Sequence, residues 1–534
     1  MAKGLTDKEL EQIIESDEFW EDFDVNNTAS SSSSTYEYNE NTIEKEDKRD
    51  ACEKLFTFGD QSDQEEEDEE ELSTHDTDSE QEWQPSDEQN EDEEHSASTS
   101  NEDVNLNRKE VPKALYGKDR TKWSTTAPVR GKTLAKNIIK VLPGLKGNAA
   151  QHKPQSALQA WKLLLTDEIF GQIITHTNTK IRSVQSHYGK FKKKSNSRSE
   201  FRPSFIGETD KTEIEAFVGL LYFLGLYKSG HEDLRSLWAT DGTGRDIFRC
   251  TMSLARFSFL LCCLRFDDEL TRKERMKNTK LAALGNLFEE FIQNCKGNYS
   301  PGEYLTVDEM LVPFRGRCSF KMFIPSKPAK YGLKVQVLAD SKTHYLLNAD
   351  IYAGKSLEKS KCKLSQPTQV VLRLVESVIG SNRNITGDNW YSSVELVDEL
   401  SKVNVTYVGT LKKNKRCIPK EFLPSRLRQE FSTEFGFTSG KTLVSYVPKK
   451  NKSVILISSM HNDSSVDNET KKPEIILFYN DTKAGVDALD QKCSNYSTSR
   501  KTRRWPMALF HMMLNVAGIN SRVLLQFQGI SCLI

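Results

Sequence analysis

The amino-acid sequence predicts a mixed α/β protein in which an acidic amino-terminal region is followed by a helical domain and then by a mixed β-sheet with helices packed on it. Three observations lead to this prediction. The charge changes sign near residue 107, apolar residues then recur at helical spacing, and short β-branched runs bounded by Gly, Pro, Asn and Asp begin after Pro301. At 534 residues the chain is longer than one hydrophobic core usually organises, so we expect several domains.

The charge of the chain is divided between two opposite parts. Residues 1–107 contain 37 Asp and Glu against 6 Lys and Arg and few apolar residues, so we expect this region to be disordered. Residues 108–534 contain 68 Lys and Arg against 40 Asp and Glu. A body this basic favours a polyanionic partner. Nucleic acid is the commonest such partner, because binding its phosphates releases condensed counterions.

Several other classes of protein are disfavoured by the sequence. The first residues contain no apolar stretch of the kind that a secretion signal needs. The longest apolar run, Ala216–Tyr227, is shorter than the ~20 residues of a membrane-spanning helix, so we expect no membrane partner. No two of the ten cysteines stand three apart, and we predict neither zinc nor disulfides. A reducing compartment and a nucleic-acid partner together indicate the nucleus.

A mostly helical domain is predicted over residues 123–300. Apolar residues from Leu158 to Ile174 recur at the spacing of one helix face, and the segments Glu213–Tyr227 and Ser253–Phe266 repeat the pattern. The residues predicted for its core are Phe217, Leu220, Leu221, Leu224, Phe257, Leu260 and Leu261.

A sheet domain is predicted in two parts, residues 301–412 and 474–497, separated by a β-rich insertion at 413–473. The first part has three consecutive strands and then helix, strand, helix and strand, an order that indicates a mixed sheet with helices on it. Ile475–Tyr479 is predicted to resume the sheet as a strand, and residues 498–534 return to helix. In 301–412 the predicted strands are Tyr304–Val307, Leu333–Leu338, Tyr345–Ile351, Asn384–Thr386 and Val405–Thr410, and the predicted helices are Gln369–Ile379 and Ser393–Lys402.

Candidate metal ligands lie where these predicted strands end or where the following helix begins. They are Asp308 in TVDEM, Asp388 in TGDNWY, and Asp487 with Asp490 in GVDALDQ. Carboxylates suit Mg²⁺ or Mn²⁺, and two such ions ~4 Å apart can activate a water or a 3′-hydroxyl in phosphodiester chemistry. Spacing alone leaves ordinary strand-end carboxylates as the alternative, because the basic body contains 40 acidic residues.

Longer motifs around these aspartates resemble the piggyBac transposase family. They run from YLTVDEMLVPFRGRC at 304, through NITGDNWYSS at 384 and VGTLKKNKRCIP at 408, to AGVDALDQKCSNYSTSRKTRRWP at 484. KWSTTAPVR, LTDEIF and CLRFDDE, further upstream, also resemble the family. The resemblance extends in order from about residue 120 to about residue 527.

This resemblance implies an RNase H-like catalytic core, interrupted by the β insertion and flanked by a helical dimerisation and DNA-binding domain built from segments on both sides. It places catalytic metal ligands at Asp308, Asp388 and Asp487, with Asp490 as a further metal-site carboxylate, and it implies two Mg²⁺ or Mn²⁺ ions. The family cuts DNA at transposon ends, passes through a hairpin and joins the ends at TTAA. A homodimer acting on DNA is therefore the expected assembly.

Basic and aromatic residues near the aspartates are predicted to contact DNA. Cations beside a metal site suit phosphate binding, and rings can stack on unpaired bases, although packing against the sheet is the alternative for the rings. The predicted DNA-binding residues are Arg315, Arg317, Lys327, Lys330, Trp390, Arg500, Lys501, Arg503 and Arg504.

The carboxyl terminus departs from the family pattern. Family members commonly end in a cysteine-rich zinc-binding domain, whereas this chain ends at QGISCLI with Cys532 alone, so we expect the second helical part, 498–534, to be shortened. One alternative function is therefore a domesticated or truncated transposase-derived protein that binds DNA or chromatin without cutting it. Another is a protein whose acidic region mainly binds basic partners such as histones.

Overall fold

The computed structural model describes residues 114–128, 135–194, 204–354 and 363–530, together with the two-residue strand β1, Ser73–Thr74. For β1 and for residues 187–194 it describes the backbone alone. Apart from β1, the acidic region predicted to be disordered lies outside the described residues.

Nine helices in the first half of the described chain form a helical layer. One predicted helix is divided in two between residues 162 and 167, where Thr166 precedes Asp167 and Glu168, a helix-start pattern. The predicted core residues are buried except Leu261, which is partly buried. The bounds are α1 Gly147–His152, α2 Ala157–Lys162, α3 Asp167–Lys194, α4 Lys211–Leu226, α5 Leu234–Trp238, α6 Asp246–Thr251, α7 Leu254–Cys263, α8 Glu269–Met276 and α9 Leu287–Asn298.

A twelve-stranded mixed sheet forms the second layer, with the order β1-β7-β8-β6-β10-β11-β14-β13-β12-β3-β2 and β9 also paired with β8. The predicted mixed α/β class is therefore confirmed. A separate small sheet joins β4 to β5. The bounds are β2 Ala114–Tyr116, β3 Lys122–Ser124, β4 Gly144–Leu145, β5 Tyr299–Ser300, β6 Tyr304–Pro313, β7 Lys321–Phe323, β8 Tyr331–Asp340, β9 Leu346–Ile351, β10 Asn384–Gly387, β11 Thr406–Thr410, β12 Thr433–Thr438, β13 Lys441–Lys449 and β14 Lys452–Ser458.

Five neighbouring strands of the large sheet combine antiparallel and parallel pairing. In the spatial order β9-β8-β6-β10-β11, the pairs β9–β8 and β8–β6 are antiparallel, whereas β6–β10 and β10–β11 are parallel. Helix α10 (Gln366–Leu374) precedes β10, and helix α11 (Val394–Lys402) connects β10 to β11. They lie close to the predicted helices Gln369–Ile379 and Ser393–Lys402. Carboxyl ends of β10 and β11 therefore lie at one edge, beside the middle of β6.

The predicted β insertion extends this sheet. Its three strands, β12 to β14, join through the antiparallel pair β11–β14, and β12 pairs in turn with β3. Trp123, where the sequence placed the start of the helical domain, therefore lies in the sheet. Its indole is fully buried beside Gly436 and donates to the Cys417 carbonyl at 2.8 Å.

One strand prediction is wrong. Ile475–Tyr479 lies inside a helix, α12 (Glu474–Thr482), because Pro473 precedes it, Glu474 opens it, and Ile475, Ile476 and Tyr479 form one buried face. That face packs against β11, β13 and β14. Two further helices follow, α13 (Gly485–Asn495) and α14 (Trp505–Gln526).

Helix α14 closes the helical layer against the sheet. It contacts α2 and α13, and 17 of its 22 residues are buried. Within the described residues it is the one helix that is long and apolar enough to cross a bilayer, and 78% of its most apolar window is buried inside the fold. It therefore packs as a core helix.

Candidate active site

Asp308 and Asp388 lie side by side on two parallel strands. Val307 pairs with Gly387 in the β6–β10 register, so the residues that follow them, Asp308 and Asp388, are neighbours across the sheet. Both carboxylates are half-buried. Asp388 directly follows its strand as predicted, whereas Asp308 lies in the middle of β6, because this strand continues to Pro313.

The chain after β10 holds the Asp388 carboxylate in one orientation. Asp388 Oδ1 accepts the backbone N–H of Trp390 at 2.9 Å and that of Tyr391 at 3.4 Å. The Ser392 hydroxyl donates to the Asp388 carbonyl at 2.8 Å and lies 2.8 Å from the Tyr407 hydroxyl. A Cβ on Gly409 would lie 2.4 Å from Ser392 Oγ, so the glycine makes room for this turn.

Helix α13 brings Asp487 towards the other two aspartates. Thr306 and Thr386 share the faces of Asp308 and Asp388 on their strands, since alternate residues point the same way. Thr306 Oγ1 donates to the Thr482 carbonyl at 2.6 Å, and Thr386 Oγ1 lies 2.7 Å from Thr482 Oγ1. These bonds fix the end of α12 on the sheet, so that α13 starts beside β6.

Close packing at Gly485 completes this placement. A Cβ at Gly485 would lie 2.4 Å from Thr306 Oγ1, so only glycine allows the first turn of α13 to approach β6 this closely. Asp487 lies in that turn with 64% of its side chain exposed, and Asp490 lies half-buried in the next. The two share a helix face, as their spacing predicts.

Lys327 links Asp487 to the strand of Asp308. Its Nζ donates to the Glu309 carbonyl at 3.1 Å and lies 3.4 Å from Asp487 Oδ1, and 17% of its side chain is exposed. Burial acts to lower the pKa of Lys327, but the carboxylates of Asp308 and Asp487 outweigh burial and raise it. The amine is therefore an ammonium ion.

Asp308, Asp388 and Asp490 have raised pKa values, as expected of buried carboxylates that lie near other negative charges. Burial raises the pKa of Asp308 well above its usual range, and the charges of Glu309, Asp388 and Asp487 add to the rise. Burial and the charge of Glu309 raise the pKa of Asp388 to about 6. Burial also raises the pKa of Asp490. Crowding of this kind is typical of functional sites, because a bound cation relieves it.

A buried polar group behind the aspartates was missed by the sequence reasoning. Lys334 Nζ and Glu309 Oε2 lie 3.8 Å apart, with 1% and 4% of their side chains exposed, and the Lys334 ammonium lies 4.7 Å from the centroid of the Trp390 ring. The Tyr391 hydroxyl donates to Gln336 Oε1. Lys334 and Gln336 alternate with apolar residues along β8, and that alternation was the only available indication of them.

The predicted DNA-binding residues fall into three groups. Arg315, Arg317, Lys330, Lys501 and Arg503 are exposed, whereas Lys327 and Trp390 belong to the aspartate site just described. The other two, Arg500 and Arg504, bind main-chain carbonyls of the helical layer, with Arg500 contacting Ser229 and Glu232 at 2.9 and 2.8 Å and Arg504 contacting Leu261, Cys262 and Leu264.

The donor chemistry of the site suits a hard divalent cation. Asp308, Asp388 and Asp487 supply carboxylate oxygens, and the raised pKa values of the first two arise partly from repulsion that a cation would remove. The arrangement is nevertheless open. Across the described ranges, no three His, Cys, Asp or Glu side chains lie close enough to hold one ion together.

A family model and a solved structure identify the class of protein to which the chain belongs. Residues 156–522 match the family model described as Transposase IS4, which covers more than half of the chain, so the chain is a transposase by family. It also matches the cryo-EM structure of a piggyBac transposase synaptic complex with hairpin DNA, at a TM-score of 0.66 and 38% identity over 73% of this chain and 78% of that one. The chain belongs to the piggyBac-type transposases.

Two curated proteins of Homo sapiens are more distant relatives. PiggyBac transposable element-derived protein 3 is 23% identical over 362 residues, which cover 64% of this chain and 57% of that protein. The Chimeric ERCC6-PGBD3 protein is 23% identical over 362 residues and 32% of its own length. The chain therefore spans less than two thirds of the length of these curated relatives.

Proposed function

We propose that this protein is a DNA transposase that cleaves and joins DNA with divalent ions held by Asp308, Asp388 and Asp487. The observation that carries the proposal is the parallel pairing of β6 with β10, which sets Asp308 beside Asp388, while Lys327 contacts both the Glu309 carbonyl on β6 and Asp487 at the start of α13. Two Mg²⁺ or Mn²⁺ ions would supply activation of a water or 3′-hydroxyl and stabilisation of the leaving oxygen.

The protein's own groups prepare the site for that chemistry. The Trp390 and Tyr391 amides orient Asp388, and the Thr482 contacts hold the end of α12 on the sheet, so that α13 begins beside β6. Arg315, Arg317 and Lys330 are exposed on the segment between β6 and β8 and are suited to bind DNA phosphates. Asp490, one turn after Asp487, is a further carboxylate for the site.

The fold of the catalytic part is proposed to be RNase H-like. Support comes from the order β9-β8-β6-β10-β11, with three antiparallel strands followed by two that are parallel to β6, and from the placement of the aspartates on β6 and after β10. The helical layer would then supply the dimerisation and DNA-binding surface of a homodimer.

The substrates are proposed from the resemblance and the structural neighbour. The similar solved structure is a piggyBac transposase synaptic complex with hairpin DNA. By analogy, this protein would bind transposon ends, pass through a hairpin and join at TTAA, and it would act in the nucleus.

An excision assay tests the proposal. Single replacements Asp308→Ala, Asp388→Ala and Asp487→Ala should each abolish excision of a reporter flanked by candidate terminal repeats, because each removes a metal ligand. Asp481→Ala is the matched control, since Asp481 is an exposed aspartate on α12, and it should excise at the wild-type rate. Unchanged excision by Asp388→Ala would refute the assignment.

The runner-up function is DNA or chromatin binding without cleavage. It is favoured by the open arrangement of the carboxylates and by the similarity to a human transposable element-derived protein. Under this alternative the wild-type protein would shift a DNA duplex in a gel but would excise nothing with Mg²⁺ or Mn²⁺, and Asp388→Ala would bind DNA as the wild type does.

A further inference from the structure

Lys327 is placed by a rigid turn between β7 and β8. Within this turn the Ile324 amide donates to the Lys330 carbonyl at 2.8 Å, the Lys327 amide to the Ile324 carbonyl at 3.2 Å, and the Lys330 amide to the Lys327 carbonyl at 3.0 Å. The backbone that carries Lys327 is therefore fixed by its own hydrogen bonds, and the side chain enters the aspartate site from a defined direction.

The Lys327 ammonium group lies among oxygen acceptors, where another cation would also bind favourably. Its two described contacts are both to oxygen, the Glu309 carbonyl at 3.1 Å and Asp487 Oδ1 at 3.4 Å. Asp308 and Asp490 also interact electrostatically with it. Without a metal ion, Lys327 is thus the cation that offsets repulsion between Asp487 and the carboxylates on the sheet.

The contrast with Lys330 separates this role from that of an ordinary surface lysine. Lys330 stands three residues further along the same turn with an exposed side chain, and no carboxylate in the described part of the chain lies within ion-pair distance of it. Lys327 is largely covered and points inward, whereas Lys330 points to solvent.

We propose that Lys327 is the internal counter-cation of the metal-free site, holding Asp487 until a divalent ion takes over that carboxylate. The inference rests on the proposed function, because it takes Asp487 to be a metal ligand. Lys327 and the ion compete for the same oxygen, so Lys327 weakens metal binding while it stabilises the metal-free protein. Once displaced, the ammonium is available to a DNA phosphate.

Metal titration of the full chain tests the competition. Mn²⁺ binding would be followed by electron paramagnetic resonance at fixed ionic strength for wild type, Lys327→Met, Lys327→Gln and the matched control Lys330→Met. Both Lys327 variants should lower the half-saturating Mn²⁺ concentration by roughly three- to tenfold, in line with a partly buried ion pair. Lys330→Met should stay within about twofold of wild type.

Thermal unfolding supplies a second readout. In EDTA both Lys327 variants should melt below wild type, and at saturating Mn²⁺ this gap should close, whereas Lys330→Met should follow wild type throughout. If wild type and all variants bind Mn²⁺ equally, the counter-cation role is refuted and the metal site stands. If none binds Mn²⁺, the proposed function fails, and the counter-cation role fails with it.

Discussion

Under the proposed function, the role of Asp388 as a metal ligand and the stability of the metal-free protein oppose each other. Burial and the charge of Glu309 raise the pKa of this carboxyl from 3.8 to about 6. Below pH 3.8 the group is protonated in both the folded and the unfolded chain. As the pH rises towards about 6, the unfolded chain ionises first, so the native state loses stability, and the loss is complete above about 6. A divalent ion bound to Asp388, as proposed, would reverse this loss of stability.

We therefore expect Asp388→Asn to be more stable than wild type at pH 7.5 without divalent ions, by about 1–3 kcal/mol, because the buried charge is gone while the amide oxygen still accepts the Trp390 N–H. Urea unfolding at pH 7.5 and pH 4.5 measures the difference, which should shrink at the lower pH. Asp481→Asn, at an exposed position, should unfold like wild type at both. Equal stability of Asp388→Asn and wild type at pH 7.5 would contradict the cause given for the raised pKa.

Single residues were predictable where a motif contained them. Asp308, Asp388 and Asp487 were proposed as candidates from the motifs that surround them, and the structure places the first two side by side. Lys334 was hidden in a strand, because the sequence does not reveal that β8 buries its ammonium beside Glu309. Arg500 could not be separated from its exposed neighbours, because its partners are backbone carbonyls more than 200 residues away.

Among the elements, long periodic helices and strands were predicted well, and short apolar runs were not. Five of the six strands from β6 to β11 lie where the β-branched runs indicated, though β6 is ten residues long and its prediction stopped at Val307. The sixth, β7 (Lys321–Phe323), was not predicted. The run at Ile475–Tyr479 is too short for periodicity to distinguish strand from helix, and packing on β11 and β14 decided it. The sequence also does not reveal that the β insertion pairs with β11, because this pairing joins residues that are far apart in the chain.

Gly485→Ala should weaken the docking of α13 on the sheet. The added Cβ would lie 2.4 Å from Thr306 Oγ1, so the helix start must move and Asp487 moves with it. We expect a loss of about 1–3 kcal/mol in the free energy of unfolding and a drop in excision larger than the loss of folded protein explains. Circular dichroism in urea and the excision assay measure the two effects.

The control for this variant is Gly171→Ala in α3, where an added Cβ meets nothing within 4 Å. Alanine in place of glycine inside a helix should be neutral or stabilising, by up to about 1 kcal/mol. If both variants had the same stability and excision, close approach at Gly485 would not be what positions α13.

For the whole molecule, the division of charge is the dominant electrostatic feature. The acidic region, with 37 Asp and Glu, and the basic body, with 68 Lys and Arg, belong to one chain, so we expect the acidic region to compete with DNA for the body at high local concentration. The charge balance of the two parts was evident from the sequence, whereas the positions of the exposed cations on the basic body could be seen only in the structure.

Removal of residues 1–107 should therefore tighten binding to a duplex without transposon ends. We expect at least about tenfold tighter binding near 50 mM salt, with the difference falling to about twofold near 300 mM as screening increases. Fluorescence anisotropy measures both. A full-length variant with Asn and Gln in place of the acidic residues of this region should behave like the deletion; if only the deletion tightens binding, excluded volume rather than charge is responsible.

The segment between α13 and α14 connects the helical layer to the helix that carries Asp487. Arg500 and Arg504 fasten it to carbonyls of the helical layer, and α13, which carries Asp487, leads directly into it. Tilting of that layer by a bound duplex or a second subunit would pull on the carboxyl end of α13 and reorient the third aspartate. Under the proposed function, assembly at a distance from the scissile phosphate would then set the geometry of cleavage.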